Sequence, residues 1–191
     1  MKIARIAYSA AALIAAVGVS ATMVQAYYIP TSSMEPSLLM GDHVLVNKTA
    51  RNPQRGEMVV FRYPEDPSQT FIKRVIGLPG DRIRIENKQV IRNGERLAES
   101  YVQHRDNYVD QYRDNFPSAP NVHLEPHAND MLTRYVKQGE VTVPKGVLFV
   151  LGDNRDQSLD SRFFGFVPQS SVIGRPWMVY WPSGRWGPHA Y

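Results

Sequence analysis

The chain has 191 residues, which predicts one domain or one domain with a small appendage, and its 43% hydrophobic and 10% aromatic content excludes a disordered chain. Its formal charge of +4 comes half from Lys2 and Arg5, and the remainder is near balance, so the basic pI does not describe a nucleic-acid-binding surface, which needs clustered positive charge. With no cysteine there are no disulfides, no thiolate catalysis and no Cys-type metal sites, although either redox compartment remains open.

The first element is an apolar run. Ile6 to Tyr28 carries no charge over 23 positions, 18 of them apolar. At about 1.5 Å per residue it is long enough to cross a ~30 Å hydrocarbon layer. Eight alanines make it a weak span. Lys2 and Arg5 precede it and Glu35 is the first charge beyond it. Positive-inside asymmetry then leaves the N-terminus in the cytoplasm and carries the rest across. Tyr27 and Tyr28 stand where an interfacial aromatic belt would. The same run also fits a cleavable signal peptide, with Val24-Gln25-Ala26 as a small-residue cleavage site. Both alternatives export the rest of the chain. A core helix of a soluble protein is the third alternative and the weakest, since an all-round apolar helix needs a core on every side.

Beyond residue 30 the pattern predicts strands. His43 to Val46, Glu57 to Phe61 and Phe71 to Ile76 come first. The third is closed by Gly77-Leu78-Pro79-Gly80-Asp81, a strong turn signal. Arg82 to Glu86 alternates with period two, the mark of a half-buried strand. Gln89 to Arg92 leads into Asn93-Gly94, a hairpin signal. Val147 to Leu151 and Trp177 to Trp181 are the late strands. No long helical periodicity appears after residue 30. From about Leu97 to Gln138 the sequence is polar and punctuated by Asp, Asn and Pro, which predicts an inserted lobe or long loops. No internal repeat or low-complexity tract is present.

Common catalytic signatures are absent: no G-x-S-x-G, S-x-x-K, Walker A or H-E-x-x-H. His123 and His127 are separated by Pro126, so they are not expected to share a helix face, and they read as loop histidines. Three segments stand out instead. They are Ile29-Pro30-Thr31-Ser32-Ser33-Met34-Glu35-Pro36-Ser37-Leu38, then Phe71 to Asp81, then Gly152-Asp153-Asn154-Arg155-Asp156-Gln157-Ser158-Leu159-Asp160-Ser161-Arg162 with its continuation to Pro168. Taken singly, each has an ordinary explanation as turn serines, an exposed strand lysine or a salt-bridged loop. Lys73, however, sits between Phe71-Ile72 and Val75-Ile76. A lysine that loses solvent among such neighbours has its charged form disfavoured. A neutral amine serves as general base toward a serine hydroxyl. Lowering its pKa from ~10.4 to ~8 corresponds to about 3.3 kcal/mol of destabilised ammonium.

Together, and in this order, the three segments resemble the serine, lysine and Gly-Asp-Asn-Arg-Asp boxes of the type I signal peptidases, membrane-bound serine proteases with a Ser–Lys dyad. With their flanks they cover about a third of the chain. The resemblance implies Ser33 as nucleophile and Lys73 as general base. It implies an oxyanion hole from the Ser33 backbone N–H and the Thr31 hydroxyl, although Thr31 stands where serine or glycine is common. Ser158 matches a serine that hydrogen-bonds and orients the lysine. Asp160 and Arg162 match a supporting ion pair, with Asp153 nearby. Ile29, Met34, Leu38, Phe71 and Ile72 match positions lining substrate pockets that accept small residues at −1 and −3. No metal or cofactor is implied.

The implied fold is mainly β, an antiparallel catalytic core with a smaller inserted lobe, preceded by one transmembrane helix. Its expected parts are a cytoplasmic 1–5, an anchor at 6–28, a core from 29–84 and 141–191, and a second lobe at 85–140. The implied function is removal of signal peptides from exported preproteins after Ala-x-Ala sites. The implied location is the bacterial cytoplasmic membrane, in a single pass, with the catalytic domain on the outer face. Preproteins, membrane lipid and the export machinery are the implied partners. Because Ser33 lies just beyond Tyr28, the resemblance favours an uncut anchor over a cleaved leader. Trp181 and Trp186 either touch lipid or pack in the β core. Two other functions are weighed. A self-cleaving Ser–Lys transcriptional regulator would need a DNA-binding helix pair, and an apolar span stands there instead. A catalytically silent membrane-anchored β module that binds exported proteins is opposed by intact Ser33 and Lys73.

Overall fold

The computed structural model describes residues 23–188. Its strands, in chain order, are β1 (Val24–Tyr28), β2 (His43–Asn47), β3 (Met58–Arg62), β4 (Thr70–Gly77), β5 (Arg82–Glu86), β6 (Gln89–Arg92) and β7 (Glu95–Arg96). Helix α1 (Pro126–Tyr135) follows, then β8 (Val136–Lys137), β9 (Glu140–Thr142) and β10 (Val147–Leu151). The short helix α2 (Ser161–Phe164), β11 (Val167–Pro168) and β12 (Val172–Trp181) complete the described chain. The strands form two antiparallel sheets. One has seven strands in the order β1-β2-β12-β3-β4-β10-β11, the other five in the order β7-β6-β5-β9-β8. The second sheet takes in both Arg82–Glu86 and Glu140–Thr142, so it reaches slightly beyond residues 85–140 at each end.

Apolar alternation builds the cores. On β3, Val59 and Phe61 pack with Val75, Val150 and Phe164 on one side of the sheet. Met58 and Val60 pack with Ile29, Met34, Leu38 and Val179 on the other. Strand β3 is thus buried on both faces, and so is the second half of β4. A third cluster joins the two sheets, with Ile83, Ile85 and Val90 against Phe149, Leu151 and Phe116. The Asn93-Gly94 turn has both residues at positive φ, 55° and 86°, as a tight hairpin between twisted strands requires. The Gly77–Asp81 turn is pinned by Asp81. Its carboxylate accepts from Leu78 N–H, the Asn93 amide and both arms of Arg55 at 2.8–2.9 Å.

Three expectations are corrected. The span expected at 6–28 is not one helix, because its last five residues are β1. No helix among the described residues is long and apolar enough to cross a membrane, and 6–22 lie outside them. The apolar character of β1 has a different cause. Tyr27 packs against the core beneath, and the strand's backbone pairs in register with β2, from Val24 opposite Asn47 to Tyr28 opposite His43. Within the polar stretch 97–138 there is also a helix, α1. It buries Ala128 and Met131, with Leu132 packed against the same core, an apolar stripe of few residues in a short helix whose first turn holds Pro126. His127 therefore lies on a helix rather than in a loop, with Nδ1 2.7 Å from Glu65. The last long strand also starts earlier than Trp177, at Val172, because Gly174 and Pro176 hide its alternation.

The β1 assignment has a direct check. The protein has no cysteine, so Ala26→Cys with Leu45→Cys adds one pair at directly opposed positions. Opposed strand residues have Cα separations that suit a disulfide. Mild oxidation of the full chain in detergent should cross-link this pair readily. It should not cross-link Gln25→Cys with Leu45→Cys, one residue out of register. A helix continuing through residue 28 would give neither bridge.

Candidate active site

The serine loop is held by its apolar residues. Ile29, Met34 and Leu38 are buried among Val44, Val46, Val60 and Val179. Backbone bonds from Glu35 N–H to Ser32 and from Leu38 N–H to Met34 close two successive turns. Ser33, between these pegs, is only 8% exposed. Its own backbone N–H makes no hydrogen bond within the described residues, which leaves a donor beside the hydroxyl.

Lys73 comes to the serine from β4. Because that half of the strand is buried on both faces, Lys73 and Arg74 are both buried although they point opposite ways. Lys73 Nζ lies 2.6 Å from Ser33 Oγ, and Thr31 Oγ1 lies 3.3 Å from the same oxygen. Burial pushes the Lys73 ammonium from 10.5 down to about 8, against the opposing fields of Asp160 and Asp153. A lysine titrating there keeps a minor but accessible neutral fraction near pH 7, far larger than an ordinary lysine has, and the neutral amine is the state a general base requires.

The third segment folds behind this pair. Gly152 fits where no side chain does: a Cβ there would lie 2.2 Å from Ser158 Oγ and 2.5 Å from the Ser33 carbonyl oxygen. Burial alone would raise the Asp160 carboxyl. The Arg162 guanidinium and the Gly152 N–H outweigh it and hold the group below the usual carboxylate range. Asp153 forms a fork with Arg74, at 2.7 and 2.5 Å, both side chains being fully withdrawn from water. Asn154 bonds the serine loop twice, N–H to the Ser33 carbonyl and Nδ2 to the Ser32 carbonyl, each at 3.2 Å. Ser158 Oγ is buried and makes no hydrogen bond, so the bond to the lysine that the sequence predicts is not formed.

A cleft of ≈ 350 Å³ leads to the serine between two stretches of chain, Tyr27 to Thr31 and Thr70 to Lys73. Of the five predicted pocket residues, Ile29, Met34, Phe71 and Ile72 line it. Leu38 does not. It lies wholly inside the core, where it anchors the serine loop from below.

Sequence reasoning missed a strap from the polar stretch. Gln103 bonds backbone to backbone with both Asp153 and Arg155, at 2.9 and 3.0 Å. Asp156 is a hub whose side chain is withdrawn from solvent. It accepts from the N–H groups of Arg105 and Asp106 and faces His104, Lys88 and Arg113, and these donors hold its carboxyl well below the usual range. Arg105 then reaches Glu35, two residues past the serine. Glu99 forks onto Arg155, and Tyr101 lies under the Arg74 guanidinium at 3.9 Å. No sequence pattern marks these contacts, and Arg74, buried beside Lys73, has its carboxylate partner Asp153 79 residues away. Asp153→Ala should strand that arginine and lower stability by about 3–5 kcal/mol in urea denaturation. Arg74→Met with Asp153→Leu should recover most of the loss, because the desolvation of both ions is then removed.

Comparisons with known proteins place the chain in a family. A family model described as signal peptidase, peptidase S26, matches residues 2–181. A probable signal peptidase I-2 of Synechocystis sp. is 37% identical over 185 residues, covering 92% of this chain and 72% of the relative. Signal peptidase I of Aquifex aeolicus is 34% identical, covering 84% and 77%. A crystal structure of a signal peptidase I from Enterococcus faecalis is 34% identical with a TM-score of 0.47, covering 66% of this chain and 97% of that one. The match of nearly the whole chain, on relatives identical at a third of positions, means that it belongs to the signal peptidase family, peptidase S26, serine peptidases that remove signal peptides from preproteins.

Proposed function

We propose that this protein removes signal peptides through a Ser33–Lys73 dyad. One observation carries the assignment: the 2.6 Å approach of Ser33 Oγ to a buried lysine whose pKa is lowered to about 8. An extended preprotein segment lies along Tyr27 to Thr31, and the scissile carbonyl meets Ser33. Neutral Lys73 takes the hydroxyl proton as Oγ attacks. The oxyanion is met by the Ser33 N–H and the Thr31 hydroxyl, donors typically worth about 3–4 kcal/mol each in such sites. Protonated Lys73 gives its proton to the departing amine, and the mature chain leaves. Lys73 next draws a proton from water as its oxygen attacks the acyl carbon, then gives that proton to Oγ as the acyl C–O bond breaks, which frees Ser33 and leaves the signal peptide with a new carboxyl group.

Ser158 has the role of orienting the amine. Its unpartnered buried hydroxyl beside Gly152 supports this, since an orphan of that kind invites a partner that moves. Asp160 and Arg162 keep that wall in place, and Asp153 does the same through Arg74. The closely packed apolar lining of Ile29, Met34, Phe71 and Ile72 favours small side chains at −1 and −3, because larger ones overpack it. Residues 29–84 and 141–191 act as the catalytic core, with 85–140 as the second lobe. The uncharged 6–22 anchors the chain in the bacterial cytoplasmic membrane and delivers the core to the outer face. Exposed Tyr28, Trp181 and Trp186 meet lipid there, and the export machinery supplies the preproteins.

The test is cleavage of an Ala-x-Ala preprotein by the full chain in detergent, with the product N-terminus sequenced. Ser33→Ala and Lys73→Ala should each lower kcat by roughly 10⁴-fold or more. Cleavage surviving in Ser33→Ala would falsify the nucleophile. The wild-type kcat/KM should rise with pH through about 8, as Lys73 loses its proton. Stability should move with the same group. A lysine whose folded pKa lies below its unfolded one costs stability wherever it is charged. The cost, about 3 kcal/mol, is complete below about pH 8 and gone above ~10.5. Lys73→Met should therefore melt higher than wild type at pH 7, while inactive, and lose that advantage by pH ~10.5.

A further inference from the structure

A second cavity, of ≈ 380 Å³, opens beside the substrate cleft and shares Tyr27 and Thr70 with it. It lies at one end of the seven-stranded sheet. There β1 begins, β2 and β3 finish and β12 begins, as their antiparallel pairing requires. Its lining is polar and carries three cations, Lys48, Arg51 and Arg62, with no carboxylate. Elsewhere on this molecule arginines find acidic partners: Arg55 with Asp81, Arg155 with Glu99, Arg175 with Glu57. Lys48, Arg51 and Arg62 form no ion pair among the described residues. Arg51 is held close to Lys48 by a 3.1 Å bond from Nε to the Lys48 carbonyl. Asp66, on the loop that supplies Ser68 to the wall, is occupied by Ser68 and Gln69. The hydroxyls of Tyr27, Thr70 and Ser170 also line the cavity and make no hydrogen bond among the described residues.

Three like charges gathered without a counter-ion repel one another, and an anion among them relieves that repulsion. The donor set selects the anion. Two guanidinium forks, an ammonium and neutral hydroxyls fit an oxyanion with several acceptor oxygens, and arginine forks match phosphate geometry in particular. We propose that this cavity binds a phosphate group, carried on the headgroup of an anionic phospholipid or present as inorganic phosphate. Its place in the chain bears on the source. Met23, which follows the uncharged run 6–22 in the sequence, lies at this end, its carbonyl accepting from Lys48 N–H at 2.8 Å. The lipid source therefore rests on the reading of 6–22 as an anchor, whereas phosphate binding rests on the cavity alone. Because Tyr27 and Thr70 belong to both cavities, a bound headgroup also forms part of the outer wall of the substrate cleft.

The experiment is titration calorimetry on the full chain in neutral detergent with no preprotein present, using Ser33→Ala so that peptidase activity plays no part. The probes are water-soluble dihexanoyl phosphatidylglycerol, dihexanoyl phosphatidylcholine and inorganic phosphate. Saturable binding of phosphatidylglycerol, weakened roughly tenfold by each of Lys48→Ala, Arg51→Ala and Arg62→Ala, is the expected result. Arg96→Ala and Lys137→Ala, exposed cations on the other sheet, should leave it unchanged. Phosphatidylglycerol without inorganic phosphate identifies the lipid as source, and equal binding of both identifies the phosphate itself. Binding lost equally in the Arg96 and Lys137 variants would reduce the effect to diffuse attraction and overturn the site. So would no saturable binding of either anion, or equal binding of the zwitterionic lipid. A failed preprotein assay with this binding intact would count against the dyad alone.

Discussion

A lysine kept out of water is the constraint on which the site depends. An ammonium buried this completely loses most of its hydration, and the fold answers by lowering its pKa to about 8 rather than by pairing it directly. Asp160 and Asp153 stand close enough to oppose the shift, yet each is committed elsewhere, to Arg162 and Arg74. That commitment matters. A free carboxylate against Lys73 would fix it as an ammonium and remove the base. The two acid–base pairs therefore keep the wall polar and rigid while leaving the amine with only a serine for company.

Holding the serine to such an amine requires the loop to be fixed from several sides. From below, Met34 and Leu38 act as apolar pegs. From behind, Gly152 lets the third segment approach the Ser33 carbonyl, and Asn154 bonds it. From outside, the strap through Gln103 and Arg105 grips both that segment and Glu35. The polar stretch after Leu97 lacks hydrophobic pattern because its contribution is hydrogen bonding. The carboxylate of its central residue, Asp156, is withdrawn from solvent and met by several protein donors, an arrangement costly to break at any one point.

Much of this was legible in the sequence. Strand β5 follows directly from alternation, because a period of two survives where one face is buried, β6 follows from the Asn93-Gly94 turn after it, and β10 from a continuous apolar run. The burial of Lys73 follows from its apolar neighbours, and its nearness to Ser33 follows from the resemblance of the three segments. What stayed hidden is long-range pairing. The sequence marks Asp153 as important but not that Arg74 is its partner, since 79 residues separate them. It marks Leu38 as apolar but not whether it faces ligand or core. Strand β1 was masked for a different reason: the same apolar residues suit a bilayer, a sheet edge and a cleft wall, and only the partner strand decides.

The overlap of these uses at β1 suggests how the parts work together. Tyr27 belongs to the apolar run by composition, to the sheet by pairing, to the cleft by position and to the cationic cavity by its neighbours. A peptidase whose substrates are tethered at a membrane gains from such economy. Under the proposed function, the strand that lines the substrate cleft is also the one that follows the uncharged run 6–22 in the sequence. The rigid Ser33–Lys73 geometry needs no further adjustment once the substrate lies along the strand.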